Sequence, residues 1–152
     1  MLRNNIKLNA DEALKLGDSK KVGALRYLLS IIDKKALTLP PDAFTEKEEI
    51  AVLQKELKNK QEARELFEKA NRADLVEEQD YEIEILKKYL PVAMDSAQLE
   101  KIVDSVIEKL CKDMIKPYPA NMFGSIMREV GGVVAGRAEG SEIAKIVKIK
   151  LS

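Results

Sequence analysis

Toward the C-terminus of this 152-residue chain, Gly136-Arg137-Ala138-Glu139-Gly140 holds an arginine between two glycines. Gly131 and Gly132 lie just before it, so four of the chain's seven glycines fall within ten residues. Glycine costs about 1 kcal/mol inside a helix relative to alanine. It is useful where backbone turns tightly or lies close to another group. The cluster therefore predicts a shaped bend between two short helices, with Arg137 presented from it as part of a binding surface. The bland alternative is that these glycines only let three short helices pack closely.

Residue types that commonly carry out catalysis are sparse. The chain has no histidine and one cysteine, Cys111. The commonest general base near neutral pH and the commonest zinc ligand are therefore missing. Ser–His and Cys–His nucleophile pairs are excluded within the chain, and an internal disulfide cannot form. No Walker-type phosphate loop occurs. Carboxylate or lysine catalysis stays open, but no residue stands out as catalytic, and neither a metal nor a cofactor is expected. Cys111 closes an apolar helical stripe, where a thiol reads as a small core residue rather than a nucleophile.

The elements that must position these groups follow a helical period almost throughout. A first helix from Leu2 to Leu16 places Leu2, Ile6, Ala10, Ala13 and Leu14 on one side, and Gly17 ends it. Asp18 or Ser19 caps a second. Its Val22, Leu25, Leu29 and Ile32, broadened by Leu28 and Ile31, imply burial on more than one side. Past Pro40-Pro41, Thr45 and Glu48 have capping-box spacing. A long charged helix then runs to about Ala70 with Ile50, Leu53, Leu57 and Phe67 on one stripe. Lys60 and Arg64 share that stripe, either laying their stems over apolar surface with the charge in solvent or binding an anion.

Asp74 reads as the cap of a fourth helix, with Leu75, Ile83, Leu86, Tyr89 and Leu90 on its apolar side and a stop at Pro91. Asp95 and Gln98 open a fifth, whose Leu99, Ile102, Val103, Val106, Ile107 and Leu110 make the cleanest amphipathic pattern. After Pro117-Tyr118-Pro119, a sixth helix runs from Ala120 to about Val130. The glycine-rich bend and a seventh helix from Ser141 to Leu151 complete the chain. The expected fold is all-α, with a four-helix N-terminal domain over 1–91 and a small three-helix C-terminal domain over 92–152.

Net charge is zero, but it is partitioned. Residues 1–37 carry eight basic and four acidic side chains, residues 112–152 seven and four, and residues 42–90 nine and fourteen. The basic ends permit an anionic partner; equally, the ends could pair with the middle in salt bridges. With 45% apolar and 34% charged residues the composition is that of a folded globular protein. No apolar run reaches membrane-spanning length and the N-terminus lacks a signal peptide's apolar core. No membrane partner and a cytoplasmic location are the expectations.

The spaced motifs resemble the GatB/YqeY family. Gly124-Ser125-Ile126-Met127 is similar to its G-x-V-M, Gly136-Arg137-Ala138-Glu139-Gly140 to its G-R-A-D-G, and Ile143-Ala144-Lys145-Ile146-Val147 to its V-x-x-I-V. Leu25-Arg26 and Leu53-Gln54-Lys55-Glu56-Leu57-Lys58 match its L-R pair and L-Q-K-E-L-K. Ala70-Asn71-Arg72-Ala73-Asp74-Leu75 resembles its A-G-R-x-D-L, and Tyr89-Leu90-Pro91 its Y-L-P. Several motifs in the right order are far more specific than any one of them.

The resemblance implies a free-standing all-helical protein of four plus three helices. The C-terminal part is similar to the tail domain of GatB, a subunit of the glutamine-dependent aspartyl/glutamyl-tRNA amidotransferase. That tail contacts tRNA while amide transfer takes place on another domain. The family accordingly carries a carbon–nitrogen ligase label with glutamine as amido-N-donor. The implied role is a tRNA- or RNA-binding accessory module with Arg128, Gly136, Arg137, Gly140, Lys145 and Lys148 as its contacts. Lysine and arginine contacts to phosphate supply most sequence-independent affinity, and Lys145 and Lys148 are three apart on one helix face. Lysines that the family often carries before the turn are Val133 and Ala135 here, and the turn's aspartate is Glu139, a poorer cap. Two other roles compete. One is a protein-interaction adaptor that docks amidotransferase or synthetase proteins through its acidic third and fourth helices. The other is amide transfer by the chain itself.

Overall fold

Two aspartates set where helices begin. Asp18 accepts a hydrogen bond from the Lys21 N–H at 3.1 Å and starts α2 (Ser19–Ala36). Asp95 accepts from the Gln98 N–H at 2.7 Å and starts α5 (Ser96–Leu110). Such caps satisfy one of the four backbone donors that a helix N-terminus leaves without an intrahelical partner. The computed structural model describes every residue from Met1 to Ser152. The other helices are α1 (Leu2–Lys15), α3 (Glu46–Lys69), α4 (Ala73–Lys87), α6 (Met122–Val134) and α7 (Gly140–Leu151), with a 3-10 turn at Pro41–Ala43 and no strand. The fold is all-α.

The helices pack as two units, Met1–Pro91 and Val92–Ser152. In the first, α1 pairs with α2 and α3 with α4, and α2 touches both members of the second pair. Ile6, Ala10, Leu25, Leu28, Ile32, Leu53, Ile85 and Leu86 form its core. Leu14, expected on the buried side of α1, is 55% exposed, because the side toward the core is set by Ile6, Ala10 and Ala13. Asp74 does not cap α4. Asn71 adopts a left-handed φ of 55°, Arg72 becomes the cap residue, and Asp74 falls inside the first turn, 3.3 Å from the Arg72 guanidinium. Thr45 occupies the cap position of α3, but its hydroxyl makes no capping bond.

Two charged side chains of α3 are buried. Glu49 is 0% exposed, and its carboxylate accepts the backbone N–H groups of Leu2 at 3.0 Å and Arg3 at 3.3 Å. It caps α1 from another helix, where Met1 offers no side-chain cap of its own. Beside this contact, Arg3 pairs with Asp33 of α2. Lys60 is the second: its Nζ bonds Glu82 of α4, lies 3.5 Å from Glu56, and stands 4.9 Å from the centre of the Tyr27 ring. Arg64 bonds Asp80 of α4 and Glu68. Neither cation is left for an outside anion, because acids of α4 take both, although Arg64 stays partly exposed.

No ion pair joins residues 1–37 to residues 42–90. Within 42–90, Lys60, Arg64 and Arg72 instead pair with Glu56, Glu82, Glu68, Asp80 and Asp74, so no ion pair forms between the N-terminal end and the middle. In the second unit, Leu99, Val103, Val106, Ile107, Cys111, Ile126, Val130, Val134, Ile143 and Val147 form the core, with Cys111 3% exposed. Here α6 runs past the expected Val130 to Val134 and takes in Gly131 and Gly132.

Replacing Glu49 by alanine strands two backbone donors at a buried helix end. Urea denaturation should show a loss of about 2–3 kcal/mol, the range for hydrogen bonds to a charged group. Burial lowers the Lys60 pKa, but the hydrogen bond and charge of Glu82, with Glu56, outweigh it and the net direction is up. Burial raises Tyr27 as well, helped by Glu56. Both groups bind their proton more tightly when folded, so their contribution is complete at neutral pH. It is lost as pH climbs past the ordinary values of 10.0 and 10.5. Urea midpoints should fall above that point, and Lys60→Met should flatten the fall.

Candidate nucleic-acid interface

The bend between α6 and α7 is made by two residues with left-handed backbone, Ala135 at φ 49° and Gly136 at φ 82°. The Ala135 N–H bonds the Gly131 carbonyl at 3.0 Å and the Arg137 N–H bonds that of Val134 at 3.1 Å, closing the end of α6. Gly136 is the one glycine of the cluster whose backbone conformation asks for glycine. A Cβ added at Gly124, Gly131, Gly132 or Gly140 would meet no atom within 4 Å. Close packing of the helices therefore accounts for none of these four.

Helical spacing puts Gly124, Arg128, Gly131, Gly132 and Ala135 along one side of α6, away from the buried Ile126, Val130 and Val134. Arg128 is exposed and makes no ion pair or hydrogen bond. Lys145 on α7 is equally exposed and free. Lys148, one turn further, reaches across to α6, its Nζ 6.0 Å from the centre of the Phe123 ring. Lys150 is occupied: it lies 2.9 Å from Glu100 and 3.1 Å from Asp104, whose hydrogen bonds raise its pKa.

Arg137 faces a different task from the one its flanking glycines suggest. Its Nε donates to the Val92 carbonyl at 3.0 Å, and its own carbonyl accepts the Met94 N–H at 2.7 Å. The bend thereby fastens the segment that leads into α5. Neither Val92 nor Met94 has a polar side chain, so no pattern in the sequence announces this clip. Gly140 opens α7 between Glu139, its cap residue, and Glu142 in its first turn. Those carboxylates already complement the helix dipole there, which leaves the start of α7 a poor seat for phosphate. The structure thus gathers Lys148 with the start of α6, sets Arg128 and Lys145 outward, and draws Arg137 inward.

Cys111 is packed in the core, and no group of three or more His, Cys, Asp or Glu side chains is placed to hold a metal ion. No helix is long and apolar enough to cross a membrane.

These features define an all-helical protein of two units. A family model described as Yqey-like protein matches residues 3–151, and the chain belongs to that family. No curated protein matches its sequence.

Because Gly131 and Gly132 are helical and face open space, Gly131→Ala and Gly132→Ala should each stabilise the protein, by about 0.5–1 kcal/mol. Gly136→Ala should cost about 1 kcal/mol or more, since alanine resists the left-handed region. Denaturant midpoints of the three variants check both signs.

Proposed function

We propose that the protein is an RNA-binding accessory module whose C-terminal unit holds the phosphate backbone of tRNA along the outward side of α6. The observation that carries this reading is the set of helical glycines with no internal use. At about 0.5–1 kcal/mol each, Gly124, Gly131 and Gly132 weaken α6 by roughly 1.5–3 kcal/mol, and nothing in the fold takes the space they leave. What they do provide is bare backbone on either side of an unpaired arginine, open to close approach by a sugar–phosphate ridge. Lys145 and Lys148 supply further charge from α7. The unit as a whole has nine basic and eight acidic side chains, so attraction rests on this local patch and not on net charge.

Docking of a protein through acidic α3 and α4 has less support. Glu56, Glu68, Asp80 and Glu82 are already engaged by Lys60 and Arg64. Amide transfer by the chain itself would need an accessible nucleophile, and the Cys111 thiol is buried.

With three phosphate contacts the slope of log K against log salt should be about −2.7, a loss of roughly 40-fold between 50 and 200 mM salt. Filter binding with bulk tRNA measures it. Arg128→Ala and Lys145→Ala should each reduce the slope by about one. These positions isolate the effect better than Arg137, whose removal also loosens Val92. The double variant Gly131→Ala, Gly132→Ala should bind RNA more weakly although it is more stable. Undetectable binding at 50 mM salt, or binding indifferent to salt, would sink the proposal.

A further inference from the structure

A second surface, in the N-terminal unit, has the chemistry of an anion site. Leu2, Asn5 and Asn9 of α1, Lys21 of α2, and Ile85, Lys88 and Tyr89 at the end of α4 line a cleft of about 390 Å³. No carboxylate lines it. The Lys21 and Lys88 ammonium groups and the Asn5 amide make no hydrogen bond or ion pair within the protein. Asn9 Nδ2 donates to Tyr89 Oη at 2.6 Å, which orients the phenol and leaves its hydroxyl hydrogen for another acceptor. Two free cations, a free amide and an aimed hydroxyl thus converge with no anion among them. Leu2, Ile85 and the Tyr89 ring supply an apolar side.

We propose that this cleft binds a small molecule carrying a phosphate group on an apolar or aromatic body. The lysines and the Tyr89 hydroxyl hold the phosphate through charge-assisted hydrogen bonds, while the body covers Leu2 and Ile85. The size lies within the range of small-molecule sites. A concave cleft with an apolar side also suits a compact ligand better than a polyanionic ridge, which would leave that side wet. Lys88 occupies the C-terminal cap of α4, where its charge also meets the helix dipole, so the variant that tests the site changes both lysines.

The full-length protein, labelled with nitrogen-15, is titrated at constant ionic strength with inorganic phosphate and separately with phenyl phosphate, following the Asn5 and Asn9 side-chain amide signals. Saturable shifts are expected with both, phenyl phosphate binding about threefold more tightly through its buried ring. The double variant Lys21→Gln, Lys88→Gln should stay folded, with only a small fall in melting temperature where Lys88 leaves the α4 dipole, and lose about tenfold in affinity for both probes. Arg128→Ala should leave these titrations unchanged, which separates this site from the RNA surface. Shifts that never saturate, or affinities unmoved in the double variant, overturn the proposal. So do signals that answer a short oligoribonucleotide but neither small phosphate, which would assign the lysines to RNA.

Discussion

The N-terminus of α1 is closed by a carboxylate that belongs to another helix. Glu49 lies wholly inside the N-terminal unit and accepts the first two backbone donors of α1, a service that usually falls to a residue beside the helix in sequence. A 14-residue helix is marginal on its own, so α1 holds its form because α3 completes it. Arg3, in the same turn, is tied to Asp33 of α2. One turn of helix thus joins three of the unit's four helices, and the apolar cluster of Ile6, Leu25, Leu53 and Leu86 closes beneath it. The cleft lined by Asn5, Asn9 and Lys21 depends on the resulting placement of α1 against α2 and α4.

Charge is organised locally. In the N-terminal unit it is spent inward: Lys60 and Arg64 bind α3 to α4 and neutralise acids that would otherwise repel. The C-terminal unit fastens Lys109 to Glu129 and Lys150 to Glu100 and Asp104, yet leaves Arg128 and Lys145 unpaired. Pairing is thus uneven, and net charge alone does not say which side chains are engaged.

Features governed by neighbours in sequence were legible from sequence. Asp18 and Asp95 cap the helices they precede, and the stripe from Leu99 to Ile107 is buried as its spacing implies. Features governed by distant partners were not. Glu49 looks like any acid in a charged helix, since its partners are backbone groups more than forty residues away. Lys60 and Arg64 show their charge but not the α4 acids that take it. At the bend the sequence misled in a different way. Four glycines look alike as letters, but Gly131 and Gly132 continue a helix while Gly136 turns the chain. Propensity alone cannot separate a glycine that a turn requires from one that a surface leaves bare.

The pairing of α1 with α2, α3 with α4, α5 with α6 and α6 with α7 joins helices that follow one another along the chain. Topologies rich in such local contacts search little conformational space and fold in microseconds to milliseconds. The exceptions in the N-terminal unit are the apolar core that joins Ile6, Leu53 and Leu86, and two polar contacts: Glu49 reaches back 47 residues to Leu2, and Asn9 reaches 80 residues to Tyr89. Closing loops of that length carries an entropic cost that hairpin formation avoids. Pairs of successive helices thus close at little entropic cost, while the bond from Glu49 to the start of α1 spans one of the long loops of this fold.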